Sequence, residues 1–161
     1  MSLHAKYLRW LYRGGRPNRL ARIQNRLYGR ASALGIYPSR AGELEVVGRR
    51  SGRTISLPVV IADYEGERYV VAMLGERANR VQNLRQANSL ATLRHGRSEA
   101  VRLEEIPAAS RPEIIRRYLA LAPGARPHIA VDRHASLAEF EKLAPHIPVF
   151  RVTQAEAGLQ K

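Results

Sequence analysis

The chain contains no cysteine. That excludes disulfides, thiolate metal sites and a cysteine nucleophile, and it fits a reducing, cytosolic setting. No apolar run approaches the length of a membrane span, and the first residues show neither the continuous apolar stretch nor the small-residue cleavage site of a secretory signal. Aromatic residues make up only 6% of the chain, and the segments that read as strands lack the aromatic clusters with which RNA-binding sheets stack on bases. Acidic residues are absent before Glu43, although that same segment carries Lys6 and eight arginines. Several catalytic signatures are missing as well. No Gly-Lys-Ser/Thr follows the glycines at 48 and 52, so they do not form a nucleotide P-loop. There is no Gly-x-Ser-x-Gly elbow, no His-Glu-x-x-His zinc pattern and no carboxylate pair set for glycoside chemistry. No metal site is expected. His128, Asp132 and His134 share one segment, which leaves a metal or acid–base role open beside the commoner reading as loop surface.

What is present is an ordinary globular composition with an extreme charge. The 161 residues are 45% hydrophobic and 25% charged, enough for one domain with a real core. The net charge is +13, which points to an anionic partner: nucleic acid, an acidic membrane surface or an acidic cofactor.

The N-terminal part reads as two basic amphipathic helices. Leu3, Tyr7, Trp10 and Leu11 share a face over residues 3–13, and Gly14-Gly15 ends that helix. A second starts after Asn18, a candidate N-cap, and stops at Gly35. In it Leu20, Ile23, Leu27, Ala31 and Leu34 repeat at 3/4 spacing, and Arg19, Arg22, Arg26 and Arg30 repeat on another side. Such a helix can lie on an anionic bilayer or pack on its own domain, and both readings stand at this point.

From residue 42 the pattern changes to period two. Leu44 and Val46 alternate with Glu43 and Glu45; Ile55, Leu57, Val59 and Ile61 form a second strand. Pro58 inside that run marks an edge or a bulge. Arg68 to Leu74 reads as a third strand, closing a meander. Residues 75–88 read as a loop and short helix, with Val81 and Leu84 docking it and Asn79 and Asn83 on one face. Leu90 to His95 and Ser98 to Ile106 form a hairpin around Gly96. Ser110-Arg111-Pro112-Glu113 has the form of a capping box ahead of a helix through Tyr118 to Leu121, and Ser136 to Glu139 repeats it. Ile147 to Val152 is a last strand, followed by a polar, frayed tail. The expected fold is α+β with a mainly β core: a split β-barrel of roughly six mostly antiparallel strands with flanking helices. It divides into a helical segment 1–41, the barrel 42–153 and a tail 154–161, one domain in all.

The first two strands enclose Gly48-Arg49-Arg50-Ser51-Gly52-Arg53. The glycines permit left-handed backbone and exposed N–H groups, and the arginines add forked donors suited to phosphate or carboxylate. On its own chemistry this loop is either an anion site or a solvated hairpin turn.

Four segments in order resemble the deazaflavin-dependent nitroreductase family of actinobacteria, whose members use coenzyme F-420. They are Val46 to Arg53 followed by Pro58; Val70-Val71-Ala72 followed by Gly75; Asn79 through Asn83-Leu84-Arg85; and Ala122 to His128 with Pro148 to Val152. The resemblance implies a cytoplasmic, often dimeric split barrel that takes a hydride from the reduced cofactor to a small-molecule redox substrate: a quinone, a nitroaromatic or another activated double bond. It implies that Arg49, Arg50 and Ser51, with Gly52 and Arg53, meet the phosphate and acidic tail. It implies that Pro58 and Val59 line the ring pocket, that Ala72, Met73, Leu74 and Gly75 offer backbone contacts, and that Asn79, Arg80 and Asn83 help hold the cofactor. Many relatives carry an aromatic residue, usually tryptophan, directly after the position of Asn79, where this chain has Arg80. No dedicated nucleophile is expected; the proton comes from solvent or from a pocket side chain, for which His128 and Tyr118 are the candidates. Flavin mononucleotide (FMN) is the alternative cofactor. A non-catalytic ligand-binding barrel is the second reading, and a basic nucleic-acid binder, resting on charge alone, the third.

Overall fold

The period-two segments become six strands that close on themselves. The computed structural model describes residues 6, 7, 10, 11, 18–24, 27 and 40–155. Strands β1 (Ala41–Val47), β2 (Thr54–Tyr64), β3 (Glu67–Val71), β4 (Leu90–His95), β5 (Arg97–Glu105) and β6 (Val149–Gln154) form a closed barrel in the order β1-β2-β3-β6-β5-β4. Every neighbouring pair is antiparallel, including β4 with β1. Helix α1 (Asn79–Gln86) joins β3 to β4. Helices α2 (Pro112–Leu121) and α3 (Leu137–Leu143) lie between β5 and β6. The α+β split barrel expected from the pattern is the fold. The tail from residue 156, the breaks at Gly14-Gly15 and Gly35, and the second helix beyond Leu27 lie outside the described residues.

Two apolar clusters hold the strands. Leu44, Val46, Val59, Val70, Leu93, Val101, Leu103, Phe150 and Val152 fill the barrel, joined by Val81 and Leu84 from α1. The other strand faces meet α2 and α3: Ala62, Val71 and Val149 pack with Ile114, Ile115, Tyr118, Leu119 and Phe140. Val81 and Leu84 are 0% and 1% exposed. Burying each contributes about 1.5–3 kcal/mol, which docks a helix of only two turns on one mouth of the barrel.

Registers define the two mouths. Val47 faces Thr54 across the residue 48–53 loop, and α1 enters the barrel cluster at that same mouth, after the end of β3. The β2–β3 turn and the β4–β5 turn at His95–Arg97 lie at the other. There Arg68 on β3 and Glu99 on β5 make a two-pronged ion pair at 3.0 and 2.7 Å.

Three local expectations are corrected. The third strand stops at Val71, not Leu74, because Pro148 has no N–H to extend the β3–β6 ladder; its carbonyl still accepts from Ala72 N at 2.9 Å. The capping box at Ser110 does not form. Ser110 belongs to a one-turn 3-10 helix, and Arg111 is the N-cap of α2 without a side-chain cap bond. Arg111 instead turns inward to the carbonyls of Ile106, Ala144 and Ile147. Ser136 is the N-cap of α3, but Glu139 N–H goes to its carbonyl and not to its hydroxyl. By contrast, Asn18 caps as expected, its Oδ1 accepting from Ala21 N at 2.9 Å.

The Arg68 guanidinium holds the Glu99 carboxyl below its ordinary value. The folded-state pKa is therefore lower than the unfolded one. The stabilisation is complete above the unfolded value near ~4.3 and fades as pH falls through the lowered folded value. Glu99→Gln should cost about 1 kcal/mol at neutral pH, since Arg68 is partly solvated, and should flatten the acid limb of the stability curve. Urea unfolding between pH 3 and 7, about the range in which this group titrates, checks it; an unchanged acid limb would refute the assignment.

Candidate functional site

The residue 48–53 loop, the turn after β3 and α1 lie at one mouth, whereas the segment Ala122 to His128 belongs to the helical layer. The loop closes on itself. Gly48 N donates to Arg53 O and Gly52 N to Gly48 O, both at 2.8 Å, and Arg53 N reaches Ser51 Oγ at 3.3 Å. Gly52 takes a left-handed φ of 64° at an exposed position. Gly48 has a different role. A Cβ there would stand 2.7 Å from Ile55 Cδ1, 2.9 Å from Ser51 Oγ and 3.2 Å from Arg53 O. The short register leaves the amides of Gly48, Gly52 and Arg53 bonded within the loop and that of Arg49 on Asn83, so only the N–H groups of Arg50 and Ser51 are not engaged. Its capacity for an anion lies in these two amides and in the guanidinium groups.

Asn83 connects this loop to α1. Its side chain is 6% exposed, and its Oδ1 receives the N–H of Arg49 at a long 3.4 Å. Asn79, one turn earlier, is exposed, and Arg80 is half-buried. A further pair of contacts, not picked out in the sequence, fixes α1 from another face. Arg85 bonds Glu105 of β5 at 3.0 and 2.9 Å and Glu76 at 2.8 Å. Glu105 also receives the buried Arg111 at 3.2 Å, so a chain of charges ties α1 to the helical layer. Partners twenty residues apart have no local signature.

Pro58 lies opposite Glu43 in an unbroken β1–β2 register, so there is no bulge. Pairing with β3 begins only at Ile61. Residues 54–60 thus have a strand partner on one side only, which is the edge position that proline tolerates. Val59 points into the barrel and is buried. Ala72 and Leu74 also join the barrel cluster, while Met73 packs with the helical one. The N–H groups of Ala72, Met73 and Gly75 are engaged with Pro148 O, Val71 O and Ala72 O. Gly75 takes a φ of 78° with His146 O 3.1 Å from where a Cβ would stand.

Tyr118 and His128 are elsewhere. Tyr118 is buried in the helical layer outside the barrel wall, and His128 ends the 3-10 turn Pro123–His128 that follows α2. Neither stands beside the loop.

Charge distinguishes this mouth. Arg40, Arg68, Arg85, Arg94, Arg111, Arg116, Arg117 and Arg151 each pair with a carboxylate. Arg49, Arg50, Arg53, Arg77 and Arg80 form no such pair. Among the described residues Arg19, Arg22, Arg97, Arg102, Arg126 and Arg133 also form none, but these belong to other segments, and Arg102 and Arg126 reach backbone carbonyls instead. Arg77, three residues before Arg80 in the segment entering α1, was missed in the sequence reading, although that spacing within an Asn- and Arg-rich stretch was a usable signal.

No protein-family model and no curated protein matches this chain. Solved structures do resemble it. A protein of unknown function from Agrobacterium tumefaciens superposes with a TM-score of 0.53 at 16% identity, over 78% of this chain and 52% of that one. This chain spans about half the length of that protein. A domain-swapped dimer gives 0.51 at 15% identity, over 83% and 96% of the two chains. An F-420-H2-dependent reductase gives 0.47 at 20% identity, over 71% and 95%. Likenesses at this level of identity speak to the fold alone.

Gly48→Ala should destabilise the protein by about 1–3 kcal/mol through overpacking against Ile55 and the loop carbonyl. Gly52→Ala, where nothing lies within 4 Å of the added Cβ, should cost about 1 kcal/mol from backbone strain alone. Urea midpoints of the two variants measure the difference; equal costs would contradict the close approach at Gly48.

Proposed function

We propose that the chain is a deazaflavin-dependent oxidoreductase that transfers a hydride from reduced coenzyme F-420 to a quinone, nitroaromatic or activated double bond. The observation that carries the reading is the cluster of uncompensated arginines, Arg49, Arg50, Arg53, Arg77 and Arg80, at the mouth where Asn83 and the half-paired edge of β2 also lie. A cofactor with a phosphodiester and a poly-glutamate tail is the electrostatic complement of that cluster. The donor set fits such a group: forked guanidinium donors suit phosphate and carboxylate oxygens, and no carboxylate neutralises them in advance.

In this reading Arg49, Arg50 and Arg53 hold the acidic tail, with Ser51 and Gly52 shaping the turn between them. Pro58 and Val59 border the ring at the open edge of β2. The turn of Ala72, Met73, Leu74 and Gly75 forms the neighbouring rim. Asn83 holds the loop against α1, and Asn79 and Arg80 face the ring side. Arg80 stands where related chains carry an aromatic wall, and its planar guanidinium can stack on a ring. When bound, the reduced deazaflavin supplies the hydride; the chain orients it and excludes water, and solvent supplies the proton that completes reduction. A homodimer would complete the groove from a second barrel.

Titration with oxidised F-420 and with flavin mononucleotide tests the proposal. Deazaflavin should bind at low micromolar concentration or tighter. Arg50→Ala should weaken it roughly tenfold or more, the scale of one lost charge-assisted bond. Menadione should then reoxidise the reduced cofactor faster than buffer does. Binding without turnover would instead favour a cofactor carrier, and binding of neither cofactor would overturn the assignment.

A further inference from the structure

Apart from Asn18 the described N-terminal residues are helical, and four of their large apolar side chains face solvent. Leu20, Ile23 and Leu27 are 42%, 58% and 61% exposed, and Trp10 is 53% exposed. The described members of the stripe, Leu20, Ile23 and Leu27, are not packed on the domain; Ala31 and Leu34 lie outside the described residues. The buried side is another one: Ala21 is 1% exposed and Leu11 3%. Hydrogen bonds tie the two stretches to each other. Gln24 Nε2 donates to the Tyr7 hydroxyl at 2.9 Å, and Asn18 N reaches Leu11 O at 2.8 Å. Tyr7 and Trp10 stack with ring centroids 6.3 Å apart. This arrangement holds the aliphatic stripe turned away from the contact between the stretches.

Basic side chains flank the stripe. Lys6, Arg19 and Arg22 are exposed. At about 100° per residue, Arg19 lies roughly 40° around the helix from Ile23. No acidic residue precedes Glu43. We propose that this face docks on the surface of an anionic lipid bilayer. Leucine, isoleucine and tryptophan on one face with arginine and lysine beside them are what an interfacial helix needs: apolar area for the acyl boundary, an aromatic ring at the headgroups and cations for the lipid phosphates. A second copy of the chain fits less well, because its matching face carries the same positive charge. Nucleic acid fits less well too, since a phosphate backbone offers nothing to Leu20, Ile23 and Leu27. Among the described residues no helix is long and apolar enough to cross a membrane, so the contact is with the surface. The proposal is independent of the cofactor reading.

Trp10, the chain's single tryptophan, reports the contact directly. Vesicles of phosphatidylcholine with phosphatidylserine should shift its emission to shorter wavelength and should carry the protein down on sedimentation. Vesicles of phosphatidylcholine alone should do so far less. Arg19→Gln with Arg22→Gln should lower partitioning more than tenfold, from roughly fivefold per basic residue at an anionic surface. Ile23→Ser with Leu27→Ser should lower it comparably while leaving circular dichroism and F-420 titration unchanged, because both side chains are exposed. An unshifted Trp10 emission, or binding indifferent to the Ile23 and Leu27 changes, overturns the proposal. So does concentration-dependent self-association without lipid that the same changes abolish, or preferential binding to duplex DNA.

Discussion

A six-strand barrel closes its hydrogen-bond ladder but leaves two mouths, and the way each mouth is covered governs the rest of this molecule. The interior is apolar, so water must be kept from both ends. At one end the Arg68–Glu99 pair and two tight turns lie across the opening. At the other, Val81 and Leu84 of a two-turn helix enter the core. A helix so short has little stability of its own. It is held by buried apolar area on one face and by Arg85, paired with Glu76 and Glu105, on another. Covering the mouth in this way also brings Arg77, Arg80 and Asn83 to the residue 48–53 loop. The candidate site is thus a consequence of how the barrel is capped.

The large positive charge is divided between structural and unpaired groups. Eight described arginines are matched by carboxylates, most of them joining different segments of the fold, with Arg116–Glu113 lying within α2. Arg111 is the most buried of them, with three carbonyls and Glu105 around its guanidinium. Of the arginines left after these pairings, five lie at the α1 mouth and others in the N-terminal helical residues, while Arg97, Arg102, Arg126 and Arg133 are spread over other segments. The group at the mouth surrounds a backbone edge and a turn, which suits a discrete anionic ligand. The N-terminal group flanks exposed aliphatic and aromatic side chains, which suits an extended surface.

Alternation of apolar residues was enough to read all six strands, because each strand has one face in the barrel and a side chain pointing the wrong way would lose its burial. Glycine at 48 and 52, proline at 58 and the 3/4 spacing in residues 79–86 were equally legible, since backbone conformation and helix faces are local properties. Tertiary structure decided the rest. Only the closed register shows which of the loop's amides are already bonded, those of Gly48, Arg49, Gly52 and Arg53, and which are not, those of Arg50 and Ser51. Only the capping of the barrel brings Arg77 to the same mouth and separates Tyr118 and His128 from it. Only burial tells which side of the N-terminal helix is covered: the pattern in the chain marks Leu20, Ile23 and Leu27 as an apolar face, but whether such a face meets protein or solvent depends on what the fold sets against it.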